Sequence, residues 1–270
     1  MAIVDETKES CVVHGVSTCS GCGLELTMRA VMEVMGENTI IVIPPGCAAL
    51  FSGFGTQTAM RIPGFQGNLE NTAACAAGIR TGLAMQGKED VNVLAFAGDG
   101  ATVDIGLQSL SGMLERGERV VYVCYDNEAY MNTGGQRSSA TPLGAQTTTT
   151  QMGKCTPKKD MLSIVAAHHI PYAASASIGD IADLKRKVER AKQAKGPSYI
   201  HVHAPCPTGW GFSPSLTVEV ARKAIQSGAW ELFEIIDGEK IAGKVTKEVP
   251  LTDYFQMQKR YQNLVEKRKI

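Results

Sequence analysis

The sequence predicts an α/β protein built on a doubly wound, mostly parallel sheet, and three segments carry that prediction. Residues 91–97 and 119–125 are apolar, β-branched runs of strand length, as expected for strands buried on both faces of a parallel sheet. Residues 104–115 lie between them and carry apolar side chains at helical spacing, including Ile105. We therefore expect a β–α–β unit, and open sheets of this class bind ligands at the carboxyl ends of their strands.

Helices and strands alternate along the rest of the chain. Before the β–α–β unit we predict a helix over residues 24–35, a strand at Thr39–Ile43 and a small-residue helix that begins near residue 70. Residues 141–160 lack periodicity, and irregular stretches of that length inside a domain are usually functional or lie at an interface. The remaining predicted elements are helices over residues 161–168, 178–195, 217–228 and 251–270, strands over residues 170–177 and Ser198–His203, and a hairpin within residues 230–245.

Composition and charge argue against several classes of protein. The 270 residues suffice for one large domain or two small ones, and an apolar content of 44% supports a substantial core. The 27 basic and 27 acidic residues cancel, which argues against a protein that binds nucleic acid or a membrane surface. No apolar run reaches the roughly 18–20 residues of a membrane span, and the polar, acidic residues 1–10 do not resemble a signal peptide. We therefore expect a cytoplasmic protein, whose eight cysteines indicate metal binding or catalysis before disulfides.

Polar residues follow both predicted strands of the β–α–β unit. Gly98, Asp99 and Gly100 end the first strand, and Asn127 follows the second. Glycines let the backbone approach an anion closely and expose its N–H groups, and Mg²⁺ bound with a diphosphate prefers carboxylate, amide and carbonyl oxygens. Asp99 and Asn127 supply a matching pair of side chains for such a cation. The structural alternative is a glycine turn and an Asx-rich turn at two strand ends.

The spacing of these residues is more specific than their identities. Residues 101–126, 26 in number, separate Gly100 from Asn127, which fits one helix and one return strand. The pattern resembles the thiamine diphosphate signature, in which the Asp and the Asn bind the cation that anchors the diphosphate of the cofactor. By that resemblance, the backbone carbonyl of Ala129 is the third protein ligand of Mg²⁺.

Four of the eight cysteines have the surroundings of metal ligands. Cys19 and Cys22 form a C-x-x-C pair that can share one metal centre. Cys47 follows a Pro-Pro-Gly turn after a predicted strand, and Cys206 lies between prolines after another strand. Four thiolates suit either a [4Fe–4S] cluster or a structural Zn²⁺ ion, and the spacing alone does not separate the two.

The other four cysteines have a plainer interpretation. Cys75, in an Ala-rich helix, and Cys124, inside a strand, are expected to be buried as small apolar residues, and Cys155 is open to the same interpretation. Cys11 is expected to be an exposed thiol near the terminus. The two histidines of the strand Ser198–His203 are interpreted as packing residues, because no third metal ligand stands out near them.

Taken together, the motifs resemble the β subunit of pyruvate:ferredoxin oxidoreductases over roughly residues 10–235. The matching stretches are the C-x-x-C pair, the Gly-Cys loop, AGDG, YDNEAYMNTGGQRSSATPLGAQTTTT, KKD and APCPTGWGF. In that family the β subunit carries the thiamine diphosphate domain and the [4Fe–4S] cluster nearest to it. The resemblance implies a thiamine diphosphate-binding domain over residues 1–235, with the cluster bound by its N-terminal segment, one loop and Cys206. We expect the C-terminal extension, residues 236–270, to contact another subunit, and a frayed surface helix is the alternative. The resemblance also favours iron–sulfur over zinc.

The resemblance assigns roles to individual residues. Asn132 lies at the cofactor, near its diphosphate and thiazolium, and is the predicted catalytic residue. The residues implied to bind the cofactor are Gly46, Cys47, Gly98, Asp99, Gly100, Asn127, Ala129, Asn132 and Thr133. The implied metal ligands are Cys19, Cys22, Cys47 and Cys206 for the cluster, and Asp99, Asn127 and Ala129 for Mg²⁺. Residues 51–68 depart from the pattern of the pyruvate enzymes, so the resemblance determines the fold better than the substrate.

The implied activity is oxidative decarboxylation of a 2-oxo acid, with electrons passing through the cluster to ferredoxin. Pyruvate, which would give acetyl-CoA and CO₂ with coenzyme A as acyl acceptor, is the expected substrate, and branched-chain 2-oxo acids, phenylglyoxylate and oxalate are alternatives. The glutamate that activates thiamine would come from the pyrimidine-binding domain of a separate α subunit. Together with γ and ferredoxin-like δ subunits, that chain would complete the enzyme, so this chain alone is expected to be inactive.

Two other functions fit parts of the sequence. A non-redox thiamine enzyme, such as a decarboxylase or synthase subunit, would be active without iron. A zinc-binding scaffold with a coincidental Gly-Asp-Gly turn would not bind thiamine diphosphate and Mg²⁺ even with a partner subunit.

Overall fold

A mostly parallel sheet runs through the centre of the computed structural model, which describes residues 10–53, 57–243 and 248–267. Its strands are β1 Thr39–Ile43, β2 Gly64–Gln66, β3 Asn92–Gly98, β4 Val121–Asp126, β5 Tyr172–Ser177, β6 Ser198–His203, β7 Phe233–Ile236 and β8 Glu239–Ala242. Across these described residues the eight strands are ordered β2-β1-β3-β4-β6-β5-β7-β8. Strands β1 to β6 are parallel to their neighbours, whereas β7 and β8 form an antiparallel hairpin that joins β5.

Helices cover both faces of this sheet, which confirms the doubly wound architecture. The α-helices are α1 Gly23–Met35, α2 Ala49–Ser52, α3 Thr72–Met85, α4 Leu107–Glu115, α5 Met161–Ala166, α6 Ile181–Gln193, α7 Pro207–Trp210, α8 Thr217–Gln226, α9 Leu251–Gln256 and α10 Gln262–Lys267. On one face α1 and α6 pack over Leu94 and Phe96 of β3, and on the other α3, α4 and α5 pack over Val93 and Ala95. Alternate residues of the strand therefore enter different cores, which explains its continuous apolar sequence.

Most predicted strands are found close to their predicted positions. The strands at Thr39–Ile43 and Ser198–His203 have the predicted bounds, and the two strands of the β–α–β unit are shifted by one or two residues. All six residues of β4 are buried, as expected for a strand covered on both faces. The hairpin predicted within residues 230–245 is confirmed by β7 and β8.

The helix predicted over residues 104–115 is wrong in its first part. A π-helical turn, Gly100–Asp104, follows β3, and the α-helix begins only at Leu107. The wide turn is held because the Thr102 hydroxyl donates to the carbonyl of Gly98 at 2.7 Å and Lys159 donates to that of Val103. The extra residue in the turn rotates Ile105 out of the core, where its side chain is 48% exposed.

The single helix predicted over residues 251–270 is also wrong. The described part of this segment forms α9, a 3₁₀ turn at Lys259–Tyr261, and α10. Tyr254 and Tyr261 are buried against α7 and α8, so the segment packs on its own chain. The boundary predicted between residues 235 and 236 falls inside β7. A subunit contact for residues 236–270 stays a prediction.

The amino-terminal stretch and the divergent 51–68 loop are described only in part. Residues 1–9 of the polar amino-terminal stretch, and residues 54–56 of the divergent 51–68 loop, lie outside the described residues. Among the helices that are described, none has the length and apolar character needed to cross a membrane.

Candidate functional site

The carboxyl ends of β1, β3 and β4 surround a cavity of about 240 Å³. Strands β3 and β4 deliver the Gly-Asp-Gly turn and the Asn127 turn to this edge, and the loop after β1 closes the third side. The residues predicted to bind the cofactor all lie on the wall of this cavity: Gly46, Cys47, Gly98, Asp99, Gly100, Asn127, Ala129, Asn132 and Thr133. We call it the cofactor cavity.

Three oxygen-bearing groups converge in the wall of this cavity. One atom of the Asn127 amide lies 2.7 Å from the Ala129 carbonyl oxygen and 3.1 Å from Asp99 Oδ1. When the amide nitrogen takes this position, it donates a hydrogen bond to each oxygen. When the amide is rotated by half a turn, a carboxylate, an amide and a carbonyl oxygen face one another. Neighbouring ligands of octahedral Mg²⁺ lie about 3 Å apart, so this set fits the ion in both chemistry and spacing.

The surroundings of Asp99 favour a bound cation. Its carboxyl group is buried, and Ser138 Oγ donates to Oδ2 at 2.5 Å, which leaves Oδ1 facing Asn127. Burial, and secondarily the charge of Asp126, raise the pKa of Asp99 well above its usual range. A divalent cation would reverse this balance, because it stabilises the ionised carboxylate.

The backbone of the Asn127 turn is fixed from two directions. The indole Nε1–H of Trp210 donates to the Asn127 carbonyl at 2.8 Å, and Thr141 Oγ1 donates to the Glu128 carbonyl at 2.5 Å. Glu128 has a φ of 66°, a left-handed conformation that costs a non-glycine residue free energy. The turn that presents Asn127 is therefore held by tertiary contacts rather than by its own sequence.

The second glycine of the Gly-Asp-Gly turn has a packing role as well as the predicted binding role. A Cβ atom on Gly100 would collide with the ring of Tyr130, and the Tyr130 hydroxyl donates to the Gly100 carbonyl at 3.2 Å. Tyr130 thereby locks the loop that follows Asn127 against the end of β3. Asn132, two residues further along this loop, is exposed on the cofactor cavity.

A second cavity, of about 700 Å³, adjoins the first and is lined by the four cysteines predicted as cluster ligands. We call it the thiol cavity. Cys47 and Asn132 line both cavities, so the two sites share a wall. Cys22 caps α1 and Cys206 caps α7, where its Sγ accepts from the N–H of Gly209 at 3.3 Å.

A glycine contact brings the separate thiol segments together. The N–H of Gly23 donates to the Pro205 carbonyl at 3.3 Å, and a Cβ at this position would collide with the backbone of Ala204 and Pro205. Only a glycine after the C-x-x-C pair allows the start of α1 to lie against the loop of Cys206. This signal is present in the sequence, but its meaning depends on a contact across 182 residues.

Burial disfavours the thiolate form of three of the four cysteines. Burial and the neighbouring thiols raise the pKa of Cys22 to about 11, against the opposing effect of two backbone hydrogen bonds, and burial with the neighbouring thiols raises that of Cys47 to about 12. The pKa of Cys206 is raised as well, mainly by burial. Metal binding would have to displace the thiol protons, as it does at other thiolate sites.

The arrangement of the thiols bears on which metal group they suit. Zinc requires its thiolates about 2.3 Å from a single point. Within the described part of the chain, no three Cys, His, Asp or Glu side chains converge as ligands of one ion. A [4Fe–4S] cluster binds one thiolate at each iron corner and so keeps its ligands further apart. The four thiols line one cavity and supply the donor set that a cluster of this kind requires.

The remaining cysteines are only partly as predicted. Cys124 is buried in β4, as expected, but Cys155 is exposed and Cys75 is half-buried. Cys11 is half-buried against the core rather than an exposed terminal thiol, because its backbone carbonyl accepts from the N–H of Arg61 at 2.8 Å.

A buried network of charges below the cofactor cavity was missed from the sequence. Lys158 Nζ lies 2.5 Å from Asp126 and 3.2 Å from Glu128, and Arg260 Nη2 lies 2.6 Å from the other oxygen of Glu128. His201 Nε2 lies 2.7 Å from Asp126, so this histidine does more than pack. Lys158 belongs to the KKD motif, which was the one available signal.

The network keeps its acidic members ionised. Burial, the largest single influence, raises the pKa values of Asp126 and Glu128, but Lys158 together with His201 at Asp126 and with Arg260 at Glu128 outweighs it, so both pKa values are lowered. These carboxylates are thereby unavailable as proton donors in the site. On the cavity wall itself, among the residues described, Asp99 is the only carboxylate.

Comparison with known proteins agrees with this geometry. The thiamine pyrophosphate enzyme family, C-terminal TPP binding domain, matches residues 45–202. Pyruvate synthase subunit PorB of Methanothermobacter thermautotrophicus is 47% identical over 268 residues, covering 97% of this chain and 93% of that one. Ketoisovalerate oxidoreductase subunit VorB of Pyrococcus abyssi is 42% identical over 260 residues, covering 92% and 84%.

A solved structure shares the fold. The 2-oxoglutarate:ferredoxin oxidoreductase of Magnetococcus marinus, with 2-oxoglutarate, coenzyme A and succinyl-CoA bound, aligns with a TM-score of 0.65 at 18% identity. The alignment covers 98% of this chain and 91% of that one. With the relatives above, these findings confirm the resemblance that the motifs indicated. The chain belongs to the 2-oxoacid:ferredoxin oxidoreductase family of thiamine diphosphate enzymes, as a β subunit of the PorB and VorB type.

Proposed function

We propose that this chain is the cofactor-carrying β subunit of an enzyme that oxidatively decarboxylates a 2-oxo acid, with pyruvate as substrate and ferredoxin as electron acceptor. The observation that supports it best is the shared wall between two sites. An oxygen set suited to Mg²⁺ and a cavity with four thiols meet at Cys47 and Asn132. A non-redox thiamine enzyme has no use for the second site.

Asp99, Asn127 and the carbonyl of Ala129 would hold Mg²⁺ together with the diphosphate of the cofactor. When bound, thiamine diphosphate supplies a carbon nucleophile that stabilises the carbanion left by loss of CO₂. This chain orients the diphosphate end, since the Asn127 turn is fixed by Trp210 and Thr141. Pro44 and Leu69 on the cavity wall add apolar surface that excludes water.

Cys19, Cys22, Cys47 and Cys206 would hold one [4Fe–4S] cluster, which accepts electrons singly. Asn132, exposed on both cavities, is placed to donate a hydrogen bond to groups bound between them. This is the role we propose for the residue predicted as catalytic.

The site needs partner chains. The cavity wall described here offers Asp99 as its carboxylate, and that group is engaged by Ser138 and the proposed cation. The glutamate that activates the aminopyrimidine would therefore come from an α subunit, which closes the open side of the cofactor cavity. We propose further γ and ferredoxin-like δ subunits, coenzyme A as acyl acceptor and the cytoplasm as the compartment.

The substrate is proposed from the relatives. Pyruvate synthase subunits are among the most similar relatives, at 42–47% identity, and ketoisovalerate oxidoreductase subunits follow at 41–42%. A branched-chain 2-oxo acid is therefore the second candidate.

The test is the 2-oxo-acid-dependent reduction of ferredoxin by the anaerobically purified holoenzyme. We expect reduction that requires coenzyme A and a higher kcat/KM for pyruvate than for 2-oxoisovalerate. The reverse order of kcat/KM would establish the branched-chain substrate. Decarboxylation without reduction of any acceptor would contradict the proposed redox function.

A further inference from the structure

Arg260, in the C-terminal segment, is built into the wall of the thiol cavity. The 3₁₀ turn Lys259–Tyr261 places both Lys259 and Arg260 on this wall, among the four cysteines. Lys259 is exposed, whereas Arg260 is only 5% exposed. A buried guanidinium group at this position is unusual, because charged side chains are almost never fully buried without a partner or a function.

The guanidinium group is held on all sides. Its Cζ lies 3.5 Å from the ring centroid of Trp210, which is a cation–π contact. Its Nε donates to Gln258 Oε1 at 2.8 Å, and Nη2 lies 2.6 Å from Glu128 Oε2. These contacts fix the charge in place, so its field at the cavity does not average out through side-chain motion.

The ion pair with Glu128 is oriented with its positive end toward the thiols. Arg260 lines the cavity, whereas Glu128 is buried behind it and does not. The same carboxylate is shared with Lys158, which lies at 3.2 Å on the far side. The network therefore presents a positive charge in the wall of the thiol cavity, although the network as a whole balances.

Trp210 connects this cation to both proposed metal sites. It ends α7, the helical turn that Cys206 caps, and its indole N–H donates to the carbonyl of Asn127. Arg260 packs on the opposite part of the same side chain as a ring contact. Trp210 therefore fixes the position of the Arg260 charge relative to Cys206.

We propose that Arg260 raises the reduction potential of the [4Fe–4S] cluster held at the thiol cavity. The inference rests on the proposed function, because it requires the cluster. One-electron reduction adds a negative charge to the cluster and its thiolates, and a fixed cation beside them stabilises the reduced state. Interactions of this kind are strong when the groups are buried, and hydrogen bonding, charge and exposure all tune such clusters.

Removing the charge of Arg260 has two consequences, and both lower the reduction potential of the cluster. Arg260→Gln takes away the positive charge at the cavity, and among the described residues it also leaves Glu128 with Lys158 as its remaining ion-pair partner. Both changes disfavour added negative charge on the cluster. Arg260→Lys keeps the charge but loses the planar contact with Trp210.

The experiment is a redox titration of the full-length chain carrying its cluster, with dithionite as reductant and the electron paramagnetic resonance signal of the reduced cluster as readout. We expect Arg260→Gln to lower the ratio of reduced to oxidised cluster about tenfold at a given potential, which is about 59 mV for one electron. Lys259→Gln makes the same change of charge on an exposed residue of the same turn. It should produce a much smaller shift because water and salt screen it.

Two further variants keep the test decisive if Arg260→Gln loses its cluster. Glu128→Gln should shift the potential upward, and Arg260→Lys should stay close to wild type. Iron, sulfide and circular dichroism measurements identify the variants that retain both cluster and fold. An unchanged potential in a cluster-bearing Arg260→Gln protein, or no upward shift in Glu128→Gln, would overturn the inference while leaving the proposed function intact. A wild-type chain that binds no cluster would overturn both.

Discussion

The two proposed metal sites differ in how far the protein alone prepares them. The oxygen site comes from one β–α–β unit, and its groups already lie 2.7 and 3.1 Å apart, as ligands of one ion would. The thiol site is assembled from three segments distant in sequence. The pKa values of Cys22 and Cys47 are raised there, and among the described side chains no three converge as ligands of one ion.

This difference shows two ways in which a fold can provide for a metal. At the oxygen site, the sheet fixes the ligands, and binding needs only rotation of the Asn127 amide. At the thiol site, the metal group itself must displace protons and complete the geometry. We therefore expect metal binding to couple more strongly to pH and to local structure at the cysteines.

The largest effect is expected from a substitution that removes a cysteine ligand at the thiol site. Cys206→Ser removes one of four ligands and the cap of α7, so we expect loss of most of the bound iron and of the reduced-cluster signal. Cys155→Ser, a change at an exposed cysteine away from the cavity, is the matched control and should keep wild-type iron. Iron and acid-labile sulfide analysis of both variants is the measurement, and full iron in Cys206→Ser would remove this residue from the ligand set.

The next largest effect is expected from a substitution that removes the carboxylate ligand at the oxygen site. Asp99→Asn removes the one carboxylate ligand, and we expect the affinity for thiamine diphosphate with Mg²⁺ to fall by at least about 100-fold. Asp104→Asn changes an acid at the end of the π-helical turn that follows Asp99, outside the cavity wall, and should bind nearly as well as wild type. Calorimetric titration of the holoenzyme stripped of its cofactor gives both affinities, and equal loss in the two variants would point to a fold defect.

The pH dependence of stability tests how strongly the folded chain disfavours the ionised form of Asp99 before a metal binds. The pKa of Asp99 is raised in the folded chain, so its contribution to stability is present at low pH and is lost as the pH rises above the ordinary Asp value of about 3.9. Without metal, the wild type should therefore lose stability relative to Asp99→Asn as the pH rises from about 4 through the raised pKa of the folded chain. Denaturant unfolding at several pH values measures this, and a constant difference would contradict the assignment of Asp99.

The smallest effect concerns the link between the sites. Trp210→Phe keeps a ring under Arg260 but removes the N–H that donates to the Asn127 carbonyl. Loss of one such hydrogen bond costs about 1 kcal/mol, so we expect cofactor affinity to fall about fivefold. Calorimetric titration is again suitable, with Trp230→Phe as a ring-preserving control at the other tryptophan. An unchanged affinity in Trp210→Phe would show that the bond does not position Asn127.

The site residues that could be predicted from sequence did not depend on contacts between distant segments. Asp99 and Asn127 lie on one β–α–β unit, where strand length and the direction of parallel strands determine which residues meet. The cysteines were identified as candidate ligands because cysteines that do not form disulfides indicate metal binding or catalysis. Both inferences needed little knowledge of distant contacts.

What could not be predicted depends on contacts between distant segments. Arg260 and His201 looked like ordinary surface and packing residues, because sequence does not reveal that a charge is buried against Glu128 or Asp126. The π-helical turn is imposed by Lys159, which lies 56 residues from its acceptor Val103. The C-terminal helix is broken at Gln258, whose backbone is extended and whose side chain donates to the Tyr254 carbonyl and accepts from Arg260.

The measurement that tests the central claim most directly is the content of iron, zinc and acid-labile sulfide in the anaerobically purified wild-type chain, with electron paramagnetic resonance after dithionite reduction. We expect about four irons and four sulfides per chain, and a reduced-cluster signal. One zinc per chain without sulfide would contradict this expectation, because the second site would then provide no path for electrons.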